Sequence, residues 1–182
     1  SGDEIYSIET QIQSYGYIGI NAQRVKVGED ASSYESKSLR KAFATLFSVY
    51  RDIAVSSFFY SEAGCMADII DYPIPPGSWA SPKATDSEYR QAFSYDKNDN
   101  FIYGDAEDDT ERYAAALSAA ADYFIEAGYV YDKELGVFTS APDGASLMYT
   151  IVIPGGGTKA HPAYTIASMS AEALRSIGIT LE

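Results

Sequence analysis

The last third of the chain constrains the fold most. Leu147-Met148-Tyr149-Thr150-Ile151-Val152-Ile153 is an almost unbroken apolar run, and Pro154-Gly155-Gly156-Gly157 stops it. An amphipathic stretch follows from Pro162 to Ile177, with proline in its first turn and Gly178 just past its end. Proline fits the first helical turn and glycine the residue after the last, so this stretch reads as a helix with a stripe of Ile166, Met169, Ala173 and Ile177. Ile179 then restarts an apolar strand. Strand, helix, strand in this order is a βαβ unit, whose strands run parallel through a right-handed crossover. The lack of polar alternation in 147–153 predicts a strand covered on both faces.

Two further helices are legible. Leu39, Phe43, Leu46, Phe47, Tyr50, Ile53 and Ala54 recur at spacings of three and four, which predicts one helix over about 33–58, with Ser32 and Glu35 as a capping box. Residues 110–127 predict another, capped by Asp108 or Asp109, striped by Tyr113, Leu117, Ala120, Ala121 and Phe124, and ended by Gly128. Pro73, Pro75, Pro76 and Pro82 exclude a helix or central strand over 71–87 and leave an extended loop holding the sole tryptophan, Trp79. Phe93 to Tyr103 reads as a hairpin around a polar tip, and Tyr17 to Asn21 as a strand. The fold class expected is α/β, with three main helices packed on a mixed sheet in a single domain.

Composition narrows the partners. With 13 basic and 26 acidic residues the net charge is −13, which argues against nucleic acid or an anionic membrane, since both need clustered positive charge. No apolar stretch is long enough to span a bilayer. One cysteine and one histidine leave no disulfide and no multi-cysteine metal site. Cys65, between Gly64 and Met66, reads as a small core residue, although a Cys65/His161 pair would suit a hydrolase. Asp96, Asn98, Asn100 and Glu107 fall in the register of a calcium loop, but Phe101 stands where that loop needs glycine, so the stretch reads as a solvated hairpin tip. No cofactor or metal is expected.

The candidate ligand contacts come from placement. The loop after a buried parallel strand and before a helix is where open α/β sheets bind ligands, though it also reads as a flexible connector, and His161 reads either as a helix-entry residue or as a ligand contact. Trp79, in its proline-braced loop, covers either neighbouring core or a ligand. Asn21 ends the first strand.

Four motifs in order resemble one family. Ser38-Leu39-Arg40-Lys41-Ala42-Phe43 with Tyr50-Arg51-Asp52-Ile53, preceded by Tyr17-Ile18-Gly19-Ile20-Asn21, is similar to the first helix of oligopeptide-type extracellular solute-binding proteins (family 5 of the ABC importers) and the strand before it. Tyr72-Pro73-Ile74-Pro75-Pro76 resembles that family's Pro-Ile-Pro-Pro loop. Ala115 to Tyr129, with Glu126-Ala127-Gly128-Tyr129, resembles its Glu-Ala-Gly-Tyr helix, and Ile177-Gly178-Ile179 the close of its βαβ unit.

The resemblance spans about residues 15–182 and implies most of the C-terminal lobe of a two-lobe, periplasmic-binding-protein-like (type II) fold. It implies a non-enzymatic protein that closes on a solute, expected to be a peptide, and delivers it to the membrane permease of an ABC importer. It also implies an extracellular or periplasmic location, anchored by a lipidated N-terminus outside this segment. Ser1-Gly2 reads as the scar of a cleaved tag, and the stop at Ile179 to Glu182 as an excision from a longer chain. Some dipeptide binders in the family place an arginine after the strand matching 147–153; here Lys159 and His161 are the cationic candidates. Two other readings stand beside this one: a carbohydrate-binding or adhesive surface domain using the 16 tyrosines, and a hydrolase domain.

Overall fold

The apolar stripes of the helices meet in one core. A computed structural model of the chain describes residues 14–61, 64–75, 77–154, 159 and 161–182. Helix α1 spans Tyr34–Val49 and buries Leu39, Ala42, Phe43, Leu46 and Val49. Its N-cap is Ser33, whose hydroxyl accepts from Ser36 N–H, one residue beyond the expected Ser32; Ser32 bonds Asp30 instead. The predicted 33–58 helix breaks at Tyr50, and a second helix, α2, runs over Arg51–Phe59. The break has a visible cause. The Ser48 carbonyl accepts from both Tyr50 N–H and Arg51 Nε, and the Arg51 guanidinium reaches on to the Ile70 carbonyl at 2.8 Å and Asp71 at 2.9 Å.

After α2 a short antiparallel pair forms, β1 (Tyr60–Ser61) with β2 (Gly64–Cys65). Helix α3 covers Asp109–Glu126. The Asp108 carboxylate accepts from Glu111 N–H and the Glu111 carboxylate from Glu107 N–H, so each end of the cap meets a donor the helix cannot. Its buried face is mostly small, with Ala116, Ala119 and Ala120, so α1 packs close against it and Phe124 fills the space beyond. Next come β3 (Val130–Asp132) and β4 (Val137–Ser140), an antiparallel hairpin turned by Asp132 and Gly136.

The final unit is β5 (Met148–Tyr149), α4 (Pro162–Ser176) and β6 (Thr180–Leu181), and β5 and β6 are parallel as expected. Backbone bonds carry the pairing on to Ile151 and Glu182. An aromatic cluster ties the parts together. Phe124 meets Phe43, Tyr129 and Phe138 edge-on or tilted at 5.1–5.5 Å, and Phe43 meets Tyr149 at 4.8 Å. Tyr129 donates to the Ser146 carbonyl, so the bond between the Tyr129 and Tyr149 hydroxyls is donated by Tyr149. Burial and that bond push the Tyr129 hydroxyl far above its ordinary range.

Three expectations about the strands fail. Among the described residues the strands form three separate two-stranded pairs, not one mixed sheet. The 147–153 segment is covered on one face only: it alternates, with Met148 55% and Val152 90% exposed. Two of its three outward side chains, Met148 and Val152, are apolar, which hides the alternation in the sequence. Residues 14–20 take no regular secondary structure, so the expected Tyr17–Asn21 strand does not form, and Tyr17 is largely exposed. The molecule is mixed α/β, and no helix among the described residues is long and apolar enough to cross a membrane.

Candidate functional site

The carboxyl end of β5 leads to α4 through His161. His161 is the N-cap: its Nδ1 accepts from Ala163 N–H at 3.1 Å, and Pro162 takes the first helical position, where no N–H is needed. An accepting Nδ1 places the neutral ring's proton on Nε2, so the imidazole presents a donor away from the helix. Lys159 lies exposed two residues before it. The expected loop of Gly155, Gly156 and Gly157 lies outside the described residues.

Trp79 is 96% exposed, in turns closed by Ser78 N–H to the Pro75 carbonyl and Ser81 N–H to the Ser78 carbonyl. It therefore covers no core. Asn21 is spent on a turn: its Oδ1 accepts from Gln23 N–H and its carbonyl from the Arg24 and Val25 N–H groups. Among the described residues no hydrogen bond or ion pair joins any two of Asn21, Trp79, Lys159 and His161.

The residues weighed for hydrolysis and calcium sit elsewhere. Cys65 is exposed on β2 rather than buried in the core, with its Sγ against the Ala67 carbonyl. The two-residue hairpin strand carries it outward, away from any helix stripe. Asp96 organises the 93–103 hairpin, which consists of a single Tyr95–Phe101 bridge. Its carboxylate accepts from Asn98 N–H, Asn100 N–H and Asn100 Nδ2, and these bonds hold it below the ordinary aspartate value.

Sequence reasoning missed the polar lattice that anchors the proline loop. Asp71 accepts from Arg51 at 2.9 Å and from the Tyr89 hydroxyl at 2.6 Å, and the latter bond pushes Tyr89 up to about 12. Tyr72 exchanges bonds with the Arg90 backbone, and Arg90 pairs with Asp99 while lying 3.8 Å over the Tyr95 ring. Here Tyr123 on α3 donates to the Tyr95 carbonyl, and Ser48 on α1 to the Ala92 carbonyl. These contacts frame a cavity of about 370 Å³ between α1, α3 and the 90–99 segment. A second, of about 290 Å³, lies beside Tyr50, Tyr113 and Glu172. None of the four predicted contacts lines either. The only signal in the sequence was the clustering of Tyr72, Tyr89, Arg90 and Tyr95 in a loop.

Compared with protein-family models, curated proteins and solved structures, the chain matches none of them.

Proposed function

We propose that this chain is one lobe of a two-lobe solute-binding protein of the oligopeptide-binding type, working by hinge closure and serving the permease of an ABC importer. The observation that carries the reading is the parallel β5–α4–β6 unit, whose first strand runs out to a helix start held by His161 and flanked by Lys159. That junction is where open α/β architectures hold ligands, and two donors there suit an anionic or carbonyl-bearing solute. The exposed Trp79 and the bare outer face of β5 support it further, as surfaces that a second lobe or a solute would cover. In this reading the protein is non-enzymatic, works outside the cell or in the periplasm, and is held at the membrane by a lipidated N-terminus beyond this segment.

The ligand touches both lobes and so selects the closed state. Half a cleft lacks its opposing wall. The test is a thermal-shift comparison of this chain and its full-length parent against a pool of di- to pentapeptides. The parent is stabilised, the isolated chain is not, and Lys159→Ala with His161→Ala in the parent weakens the response.

A carbohydrate-binding or adhesive domain is the second reading, favoured by exposed Tyr17, Tyr60 and Trp79. It predicts that oligosaccharides stabilise the isolated chain, and that outcome would displace the first.

A further inference from the structure

We propose that the 370 Å³ cavity between α1, α3 and the 90–99 segment is a binding site for a small, flat monocarboxylate. The proposal stands apart from the two-lobe reading and rests on which lining groups are already committed. Asp71 is bonded to Arg51 and Tyr89, Asp99 to Arg90 through both carboxylate oxygens, and Asp96 to three N–H groups of its own turn. Asp71 and Asp99 are thus each met by an arginine, while Asp96 is held by neutral donors of its own turn.

Polar side chains without a hydrogen bond or ion pair among the described residues remain at the cavity. Among the described residues no carboxylate lies within 4.0 Å of the Lys41 ammonium, which sits 5.5 Å over the Tyr123 ring. It is close enough to Asp99 to act on it electrostatically, yet Asp99 is held by Arg90. Thr45 is 1% exposed, lines the cavity, and makes no hydrogen bond through its hydroxyl among the described residues. The Gln91 side-chain amide, also lining the cavity, has no partner among the described residues either. One cation with hydroxyl and amide donors matches a single carboxylate; a phosphate dianion calls for more positive charge.

Aromatic side chains make up much of the remaining wall: Tyr72, Phe93, Tyr95 and Tyr123. Phe93, which lines the cavity, has φ +55°, a left-handed conformation costly for a bulky side chain, and the residue is about half exposed. Aromatic faces favour a flat, apolar ligand body, and the volume suits a molecule the size of an aromatic acid.

The test is an amide chemical-shift titration of the chain with benzoate, with acetate and tetramethylammonium as controls at matched ionic strength. Benzoate is expected to saturate in the millimolar range, with shifts centred on Gln91, Phe93 and Tyr95. Lys41→Gln should weaken it about tenfold. Thr45→Val, which keeps shape and removes the hydroxyl, should weaken it about fivefold. Lys41 is exposed, so that variant keeps the fold, which the same spectra verify. Absence of saturation up to tens of millimolar overturns the proposal. So does acetate binding as tightly as benzoate, or tetramethylammonium saturating the same amides.

Discussion

Helices α3 and α4 end in the same way, yet alanine at their terminal glycines should have very different costs. Gly128 has φ +92° and Gly178 has φ +83°. Each follows a helix whose last carbonyls are closed by the glycine N–H and the next: Gly128 to Ile125 and Tyr129 to Phe124, Gly178 to Arg175 and Ile179 to Leu174. A side chain in this left-handed region costs roughly 1–2 kcal/mol at either site. The surroundings then diverge. A Cβ at Gly128 would stand 3.5 Å from the Pro142 side chain, an ordinary contact. At Gly178 it would stand 2.7 Å from the Phe138 carbonyl oxygen and 3.1 Å from the Phe138 nitrogen. That nitrogen donates to the Ile177 carbonyl at 2.8 Å, so β4 cannot retreat without breaking the bond. The clash adds about 1–3 kcal/mol, the usual cost of overpacking. Gly178→Ala should therefore lose about 2–5 kcal/mol against about 1–2 for Gly128→Ala. For a domain this size the difference is on the order of 5 °C in melting temperature. Urea unfolding followed by far-ultraviolet circular dichroism measures it. Equal losses at the two glycines would refute the docking of β4 on the end of α4.

Further outcomes follow from the same contacts. Phe124→Ala empties the centre of the aromatic cluster and should cost about 3–5 kcal/mol in the same assay; a loss under about 1 kcal/mol would place Phe124 outside the core. Asp96, Asp99 and Glu126 are held below their ordinary values by hydrogen bonds from the turn backbone, Arg90 and Lys97 respectively. A lowered folded-state value contributes stability above 3.8 for the aspartates and 4.5 for the glutamate, and that contribution fades as pH falls through the lower folded values. Melting temperature should thus drop on acidification across that window, less steeply in Asp96→Asn; a flat profile would contradict the bonding described. Trp79, at 96% exposure, should be quenched by acrylamide almost as readily in native as in urea-unfolded protein, and strong native protection would show that it is covered.

Much of this architecture was written in periodicity. The spacing of Leu39, Phe43 and Leu46, and of Ala120 and Phe124, reflects one face of each helix against a shared core, so the stripes were legible. The βαβ unit was legible because Pro162 and Gly178 bracket its helix and its strands are apolar. The break at Tyr50 was not, since it depends on Arg51 reaching residues about 20 positions away. The β3–β4 hairpin was missed although Asp132 and Gly136 carry its turn signal; the strands are three and four residues long, too short for alternation to stand out. Continuous apolarity in 147–153 gave a false reading of burial, because Met148 and Val152 face outward. Of the candidate contacts, His161 sits at a helix start as its neighbour Pro162 foretold, whereas the cavity framed by Arg90 and Tyr95 depends on long-range pairing that no local pattern encodes.

The most direct test of the central claim is the coding DNA on either side of this segment. A ligand-binding lobe of this type predicts an open reading frame with a lipidation signal and about two hundred residues of first lobe upstream, and roughly another hundred residues downstream that return to it. A natural chain that starts and stops near Ser1 and Glu182 would contradict the two-lobe account and move the carbohydrate-binding reading ahead of it.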